Sequence, residues 1–176
     1  MASISQFLGA LKGGGARPNR FEVQVSFPAF AGGAEEIRQT AFLVQSTNLP
    51  GSTLGTITQG FRGRQLKLPG DRTFDTWEAT FLNDTDFALR DAFERWHNGI
   101  NSYRTNQGLT SPDEYLATVS VFQLDAQDNR IKEYTMRYAW PSVIAPIDLA
   151  MDSNDTIETF SVTFEYSDLD SSGVTA

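Results

Sequence analysis

The chain has no cysteine and only one histidine, His97, among its 176 residues. It therefore cannot form disulfides, CxxC redox centres or iron–sulfur clusters, and one imidazole cannot build the usual closed zinc sites. No apolar run approaches the roughly 20 residues that span a bilayer, so we expect no membrane insertion. Basic residues are also few, since 14 lysines and arginines stand against 22 acidic residues, for a formal net charge of -8. This balance disfavours a protein that grips nucleic acid by neutralising phosphates.

The stretch that most resembles a catalytic cluster is NDTDFALRDAFERWHNGINS, residues 83–102, in which His97 lies near Asp91 and Glu94. A general base needs a cleft and a shifted pKa, and a polar mixture on the outside of a helix supplies neither. The sequence also contains no GxSxG elbow, Walker loop or HExxH motif. We therefore expect a protein that is not an enzyme and has no cofactor, with His97 on its surface.

The apolar residues of the same stretch predict an amphipathic helix over residues 84–98. They fall on one stripe with a period near 3.6, and the set is Leu89, Ala92, Phe93, Trp96 and Ile100. Asp84 or Thr85 is expected to cap the start, and Gly99 just past the last turn is a natural stop. The predicted core anchors of this helix are Leu89, Phe93 and Trp96.

A polar, mainly acidic cluster in the C-terminal part of the chain hints at calcium, because Asp152, Asn154, Asp155 and Glu158 lie close together in sequence. An EF-hand loop needs a glycine at its turn, and Ile157 occupies that place here. A solvated loop is therefore the favoured interpretation, and we expect no metal site.

Most of the chain beyond the first 20 residues shows the two-residue period of half-buried strands. This pattern predicts strands at 21–27, 73–83, 115–124, 131–140 and 156–166, with a less regular one near 37–46. The turn DAQDNR joins the strands at 115–124 and 131–140 into a hairpin. With 40% hydrophobic and 12% aromatic residues, the sequence indicates a single mainly β domain, a barrel or sandwich of antiparallel strands with one packed helix.

A Gly/Pro-punctuated segment, PGSTLGTITQGFRGRQLKLPGDR, predicts a long projecting loop or hairpin over residues 47–72. Its basic side chains Arg62, Arg64, Lys67 and Arg72 could touch phosphate. In an acidic protein, such a basic projection fits better against a complementary acidic surface on another copy of the chain.

The ends of the chain are expected to lie outside the β domain of residues 17–170. Residues 1–16 form an N-terminal arm, with Ile4, Phe7, Leu8 and Leu11 at helical spacing before a hinge of three glycines, Gly13–Gly15. The arm either docks on a partner or is a frayed terminus. Residues 171–176 form a C-terminal tail.

Four segments carry a resemblance to a known family. The runs RPNRFEV, LPGSTLGTI, FRGRQLKLPGDRTFDTW and FLNDTDFALRDAFERWHNGINS, within about residues 17–102, resemble the tail tube proteins of contractile-tailed bacteriophages. The resemblance implies a homohexameric ring whose subunits contribute strands to a common inner β-barrel. Such rings stack into a tube inside a contractile sheath, and phage DNA passes through the bore on ejection without specific binding. The implied partners are the chain itself and the sheath, tape measure, baseplate and tail terminator proteins, in a virion component made in the host cytoplasm.

The resemblance also suggests roles for two sets of residues. The 47–72 segment would reach the adjacent ring, and its expected contact residues are Pro50, Gly51, Leu54, Arg62, Arg64 and Lys67. The polar faces of two predicted strands are expected to line the lumen, through Thr76, Glu78, Thr80, Thr159, Ser161, Thr163 and Glu165. These side chains are small, polar or acidic, and the alternative is that they meet ordinary solvent or the sheath.

Three other functions remain open at this point. A tube protein of a type VI secretion or extracellular contractile injection system would share the fold and deliver protein cargo. A small β-barrel binding module could use Trp77, Tyr134, Tyr138 or Trp140 as a ligand floor, although such aromatics usually lie in cores. A hydrolase with paired carboxylates would need an acid–base spacing that the sequence does not show.

Overall fold

The computed structural model describes residues 3–11 and 15–173, which form four helices and nine strands. The helices are α1 (Ile4–Ala10), α2 (Ala34–Leu43), α3 (Ala88–Ile100) and α4 (Pro112–Tyr115). The strands are β1 (Phe21–Val25), β2 (Val44–Thr47), β3 (Ser52–Phe61), β4 (Arg64–Phe74), β5 (Trp77–Leu82), β6 (Ala117–Leu124), β7 (Arg130–Ile144), β8 (Thr159–Glu165) and β9 (Asp168–Ser171). The mainly β, antiparallel prediction is confirmed, and three further helices accompany the expected one. None of the helices in the described ranges is long and apolar enough to cross a bilayer.

Seven strands form one antiparallel sheet in the order β1–β6–β7–β8–β5–β2, with β9 added beside β7. Strand β7 is long enough to serve two sets of neighbours: its first part pairs with β6 and β9, and residues 140–144 pair with β8. Tyr138, at a φ of 56°, marks the change between them. Within the described residues, β1 and β2 remain as the two edges of this path.

The core lies between this sheet and helix α3. The predicted anchors Leu89, Phe93 and Trp96 are all buried there. The Phe93 ring packs 4.9 Å from Phe27 and 5.5 Å from Phe81, measured between ring centroids. The Trp96 indole N–H donates to the carbonyl oxygen of residue 115 at 2.8 Å, so its polar atom is satisfied inside the core.

The strand expected near 37–46 is wrong over most of its length, because helix α2 occupies Ala34–Leu43 and only β2 follows as a strand. The segment has helical features that strand periodicity does not register. Glu36 reaches back to accept a hydrogen bond from the Gly33 N–H at 2.8 Å, which closes the start of the helix. The buried Thr40 hydroxyl accepts from the Val25 N–H at 3.2 Å and so attaches α2 to the edge of β1.

Helix α3 is shifted relative to the predicted range of 84–98. Neither Asp84 nor Thr85 caps it, since a turn closed by the Phe87 N–H to the Asp84 carbonyl precedes the helix, and Phe87 is its N-cap with a φ of 53°. Gly99 does not end the helix but lies within its last turn. A side chain at position 99 would collide with the Phe30 ring, which explains the glycine there by close packing.

Two sequence predictions fall partly outside the described residues. Gly13 and Gly14 of the expected hinge, and residues 174–176 of the expected tail, belong to the ranges that the structure does not describe. In the described part of the arm, Ser3 caps α1 in a reciprocal pair of hydrogen bonds with Gln6. His97 is half-buried beside Tyr103, with ring centroids 6.2 Å apart.

Candidate assembly surfaces

One face of the main sheet carries most of the polar side chains that the sequence assigns to a lumen. In the β5–β8 pairing, Glu78 lies opposite Thr163, and Thr80 lies opposite Ser161. The hydroxyl oxygens of Thr80 and Ser161 are 2.9 Å apart and share a hydrogen bond. The alternate residues of both strands are buried, so the two faces of this pair are clearly distinguished.

The remaining predicted lumen residues lie around this pair. Thr159 and Glu165 occupy the same face of β8, and Glu165 lies opposite Trp140 of β7. Thr76 differs, because it belongs to the exposed connection before β5 and to no strand. Sequence reasoning missed Ser46, which the β2–β5 pairing places opposite Thr80. Finding Ser46 would have required locating the start of β2, and the apolar residues at the end of α2 hide that start in the sequence.

The electrostatic character of this face is acidic. Strands β2, β5 and β8 and residues 140–144 contain no lysine or arginine, while Glu78 and Glu165 supply two carboxylates. Glu78 is exposed and Glu165 is half-buried. A polyanion that approaches this face would therefore meet repulsion and no counter-charge.

The predicted projection is a two-stranded ribbon of β3 and β4, paired with each other and separate from the main sheet. Its tip is a two-residue turn in which Arg62 and Gly63 have φ values of 45° and 81°, as the primed turns of hairpins require. Gly55 and Gly70 lie in close backbone contact at a register shift in the ribbon. Residues Leu54, Arg64 and Lys67 of the expected contact set lie along it.

The base of the ribbon is fixed to the main sheet by two buried aromatic residues. The Trp77 indole N–H donates to the Asn48 carbonyl at 2.8 Å, and the Tyr166 hydroxyl donates to the Gly51 carbonyl at 3.3 Å. Burial, with a smaller contribution from the Asp75 carboxylate, raises the pKa of Tyr166 and keeps this donor protonated. Pro50 is buried here as well, so Pro50 and Gly51 belong to the base of the ribbon and not to its projecting part.

One face of the ribbon is apolar and exposed. Ile57 lies opposite Leu68, and Leu66 and Phe61 follow on the same face toward the tip. These four side chains are between 45% and 66% exposed. An isolated two-stranded ribbon is at best marginally stable in water, and clustered exposed apolar residues usually mark an interaction site. The exposed apolar face of the ribbon is therefore a candidate interaction surface.

Helix α1 presents a second apolar surface. Its side chains Ile4, Phe7, Leu8 and Leu11 are all exposed, and none of its residues is buried. Ser3 and Gln6 make the hydrogen bonds of its N-terminal cap. The structure thus shows a capped amphipathic helix whose apolar side chains are exposed.

The chain matches the phage tail tube protein family over residues 16–170. It is also 36% identical over 168 residues to the tail tube protein of Serratia phage KSP90, covering 94% of this chain and 95% of that relative. This chain belongs to the phage tail tube protein family. Members of this family are structural components of the virion, and the tube role predicted from the resemblance is confirmed.

The solved structures that this chain resembles are similar to it in fold, at low sequence identity. A chain of the anti-feeding prophage baseplate has a TM-score of 0.63 at 16% identity, covering 92% of this chain and 97% of that one. A chain of the sheath–tube complex of an extracellular contractile injection system, PVC, has a TM-score of 0.58 at 17% identity, covering 99% and 100%. The stronger sequence similarity, that to the phage relative, favours the phage function over the injection-system alternative.

The aromatic residues of the binding-module alternative do not share one environment. Trp77 is 1% exposed and belongs to the core, so it cannot form the floor of a ligand pocket, whereas Tyr138 points to solvent. Across residues 3–11 and 15–173, no three histidine, aspartate or glutamate side chains converge as a metal site would require.

Proposed function

We propose that six copies of this tail tube protein form a ring, and that the rings stack head to tail into the inner tube of a contractile phage tail. The observation that carries this proposal is the exposed apolar face of the β3–β4 ribbon in a chain of the tail tube family. A second supporting observation is the pair of unpaired edges, β1 and β2, since edge strands that pair between neighbours remove an aggregation hazard. Contacts around such a ring are heterologous, so each copy offers two different surfaces.

The lumen of this tube would be lined by the polar face of β5 and β8. Its proposed residues are Thr76, Glu78, Thr80, Thr159, Ser161, Thr163 and Glu165. A barrel assembled from several strands per copy encloses an aqueous channel wide enough for a large cargo. The acidic, lysine-free character of the face suits double-stranded DNA in transit, because a basic wall would bind each phosphate through counterion release and retard the polymer.

The proposed partners follow from the same assembly. The outside of the tube would contact the sheath protein, its ends would contact the baseplate and tail terminator proteins, and its bore would hold the tape measure protein before DNA passes. The role is structural, without catalysis or cofactor, and the chain is made in the host cytoplasm before assembly into the virion.

Removal of the ribbon tests the proposal. Leu54 and Arg72 are paired across β3 and β4, so deleting residues 55–71 and joining these two through an Asn-Gly turn keeps the base of the ribbon intact. We expect the shortened protein to give rings or monomers in negative-stain images, where the full-length protein gives rods. Full-length protein that forms neither rings nor rods at high concentration would overturn the proposed function, and rods from the shortened protein would remove the ribbon from it.

A further inference from the structure

The main sheet has two chemically different ends. The β3–β4 ribbon leaves the sheet at the end where β5 begins with Trp77 and β8 finishes, and its base contacts Tyr166 there. The connection between β7 and β8, residues 145–158, lies at the opposite end, where the Asn83 N–H after β5 donates to the Glu158 carbonyl at 2.8 Å. In a head-to-tail stack, opposite ends of successive copies face each other.

The charges of the two ends are complementary. Residues 145–158 contain Asp148, Asp152, Asp155 and Glu158 and no basic residue, whereas residues 52–70 of the ribbon contain Arg62, Arg64 and Lys67 and no acidic residue. Within the described ranges, none of these side chains belongs to a salt bridge. Both groups therefore keep their charge available for a partner.

The 145–158 connection also offers apolar area. Leu149, Met151 and Ile157 are each at least 69% exposed. Beside them lies an open depression of about 790 Å³, whose lining includes Leu82, Ile147, Asp148 and Asp155. Thr159 and Ser161 line it as well, so the depression borders the polar face of β8 that is proposed for the lumen. The connection therefore combines exposed apolar side chains with acidic side chains around them. The ribbon has the complementary combination of basic side chains around an exposed apolar set, Ile57, Phe61, Leu66 and Leu68.

We infer that the 145–158 connection and its depression are the docking surface for the β3–β4 ribbon of a copy in the adjacent ring. The inference rests on the proposed function, because it assumes that rings stack head to tail. Apolar contact with the depression would supply most of the affinity, and the opposite charges would fix orientation and exclude other pairings. Ribbon against ribbon, or connection against connection, would instead bring like charges together, so each contact needs two unlike surfaces.

Paired charge reversals test this docking. In the purified full-length chain, Asp148→Lys/Asp152→Lys and Arg62→Glu/Arg64→Glu should each abolish rods while leaving rings. The variant that carries all four substitutions should regain rods, because both surfaces have exchanged sign. The matched control Asp113→Lys/Glu114→Lys, which makes the same charge change on exposed residues of α4, should form rods normally.

The outcomes separate the inference from the proposed function. If the unsubstituted chain forms neither rings nor rods, the proposed function falls and the inference falls with it. If that chain forms rods and Asp148→Lys/Asp152→Lys does too, the inference alone is overturned. Failure of the fourfold variant to regain rods, with circular dichroism showing a native fold, also overturns it.

Cysteine cross-linking gives a second, independent measurement, since the chain has no cysteine of its own. In rods of the variant Leu66→Cys/Met151→Cys, mild oxidation should give a ladder of covalent multimers on a denaturing gel. The control Leu66→Cys/Asp113→Cys should give dimers at most. Intact rods without a ladder would place the ribbon elsewhere and overturn the inference.

Discussion

At the scale of single residues, two side chains of the same type contribute differently to the stability of the fold when one is buried and the other is exposed. Phe93 and Phe42 are both phenylalanines on helices, but Phe93 is fully buried among other aromatic rings and Phe42 is 76% exposed at the end of α2. Phe93 belongs to an apolar stripe of helical period, whereas Phe42 lies in the continuous apolar run of residues 41–44, and such a run does not by itself show which of its side chains are buried.

We therefore predict that Phe93→Ala lowers the free energy of unfolding by about 3–5 kcal/mol, through lost burial and a residual cavity. Phe42→Ala is the matched control and should change it by less than about 0.5 kcal/mol. Urea unfolding of the unassembled protein measures both. Equal losses in the two variants would contradict the assignment of the core to the face of α3.

A second residue-scale effect concerns the carboxylate of Glu36. The backbone N–H of Gly33 donates to this carboxylate, as does the N–H of Glu36 itself, and with a weaker contribution from Arg95 these hold its pKa below the ordinary range. A carboxyl group whose pKa is lower in the folded state than in the unfolded state stabilises the fold at pH values above its unfolded-state pKa, which is about 4.3. This stabilisation is lost as the pH falls through the folded-state pKa.

Glu36→Gln should accordingly destabilise the protein by about 0.5–1 kcal/mol at pH 7, with the difference from the unsubstituted protein shrinking below pH ~4. Urea titrations at several pH values between 7 and 3 check this trend. Glu35→Gln, in the same helical turn but without the contact to Gly33, is the control. A difference that stays constant over the whole range would argue against a role for the charge.

At the scale of the element, alternation of polar and apolar residues was sufficient for the strands with one buried face. Strands β1, β5, β6 and β8 lie within the predicted ranges because their buried side chains alternate with less buried ones, with the one exception that β6 buries both Val121 and Phe122. The pattern fails at α2, where Ala41–Val44 forms an unbroken apolar run that spans a helix end and a strand start. Periodicity cannot locate a boundary inside such a run.

The assembly surfaces were only partly accessible to sequence reasoning. The basic ribbon could be found because glycine, proline and positive charge concentrate between residues 47 and 72. For the acidic connection, the sequence predicts only a solvated loop around residues 152–158, because its position opposite the ribbon depends on the order and direction of strands β5, β7 and β8. That topology is a long-range property, and no local motif encodes it.

For the whole molecule, the electrostatic character of the proposed bore leads to a prediction about genome delivery. Glu78→Lys/Glu165→Lys replaces two carboxylates on the β5–β8 face with cations. Acidic groups repel a polyanion over about a Debye length, roughly 8 Å at physiological salt, whereas lysines bind phosphates and release counterions. Phage carrying the double variant should assemble tails of normal length and eject DNA several-fold more slowly.

Time-resolved ejection measured by dye fluorescence checks this expectation. Glu78→Gln/Glu165→Gln, which removes charge without adding cations, should have a smaller effect. Phage with Asp113→Lys/Glu114→Lys, which makes an equal charge change away from this face, should eject normally. Unchanged kinetics in the lysine variant would mean that the face does not meet the DNA.

The opposite placement of the ribbon and the acidic connection also gives any filament of these rings two unlike tips. In the inferred stack, one tip would display free ribbons and the other would display unfilled docking surfaces, so a further ring could be added at either tip. Growth would stop only when a different protein covers a tip with a surface of the matching type. The surfaces of the subunit therefore do not set the length of the tube, and another protein must set it.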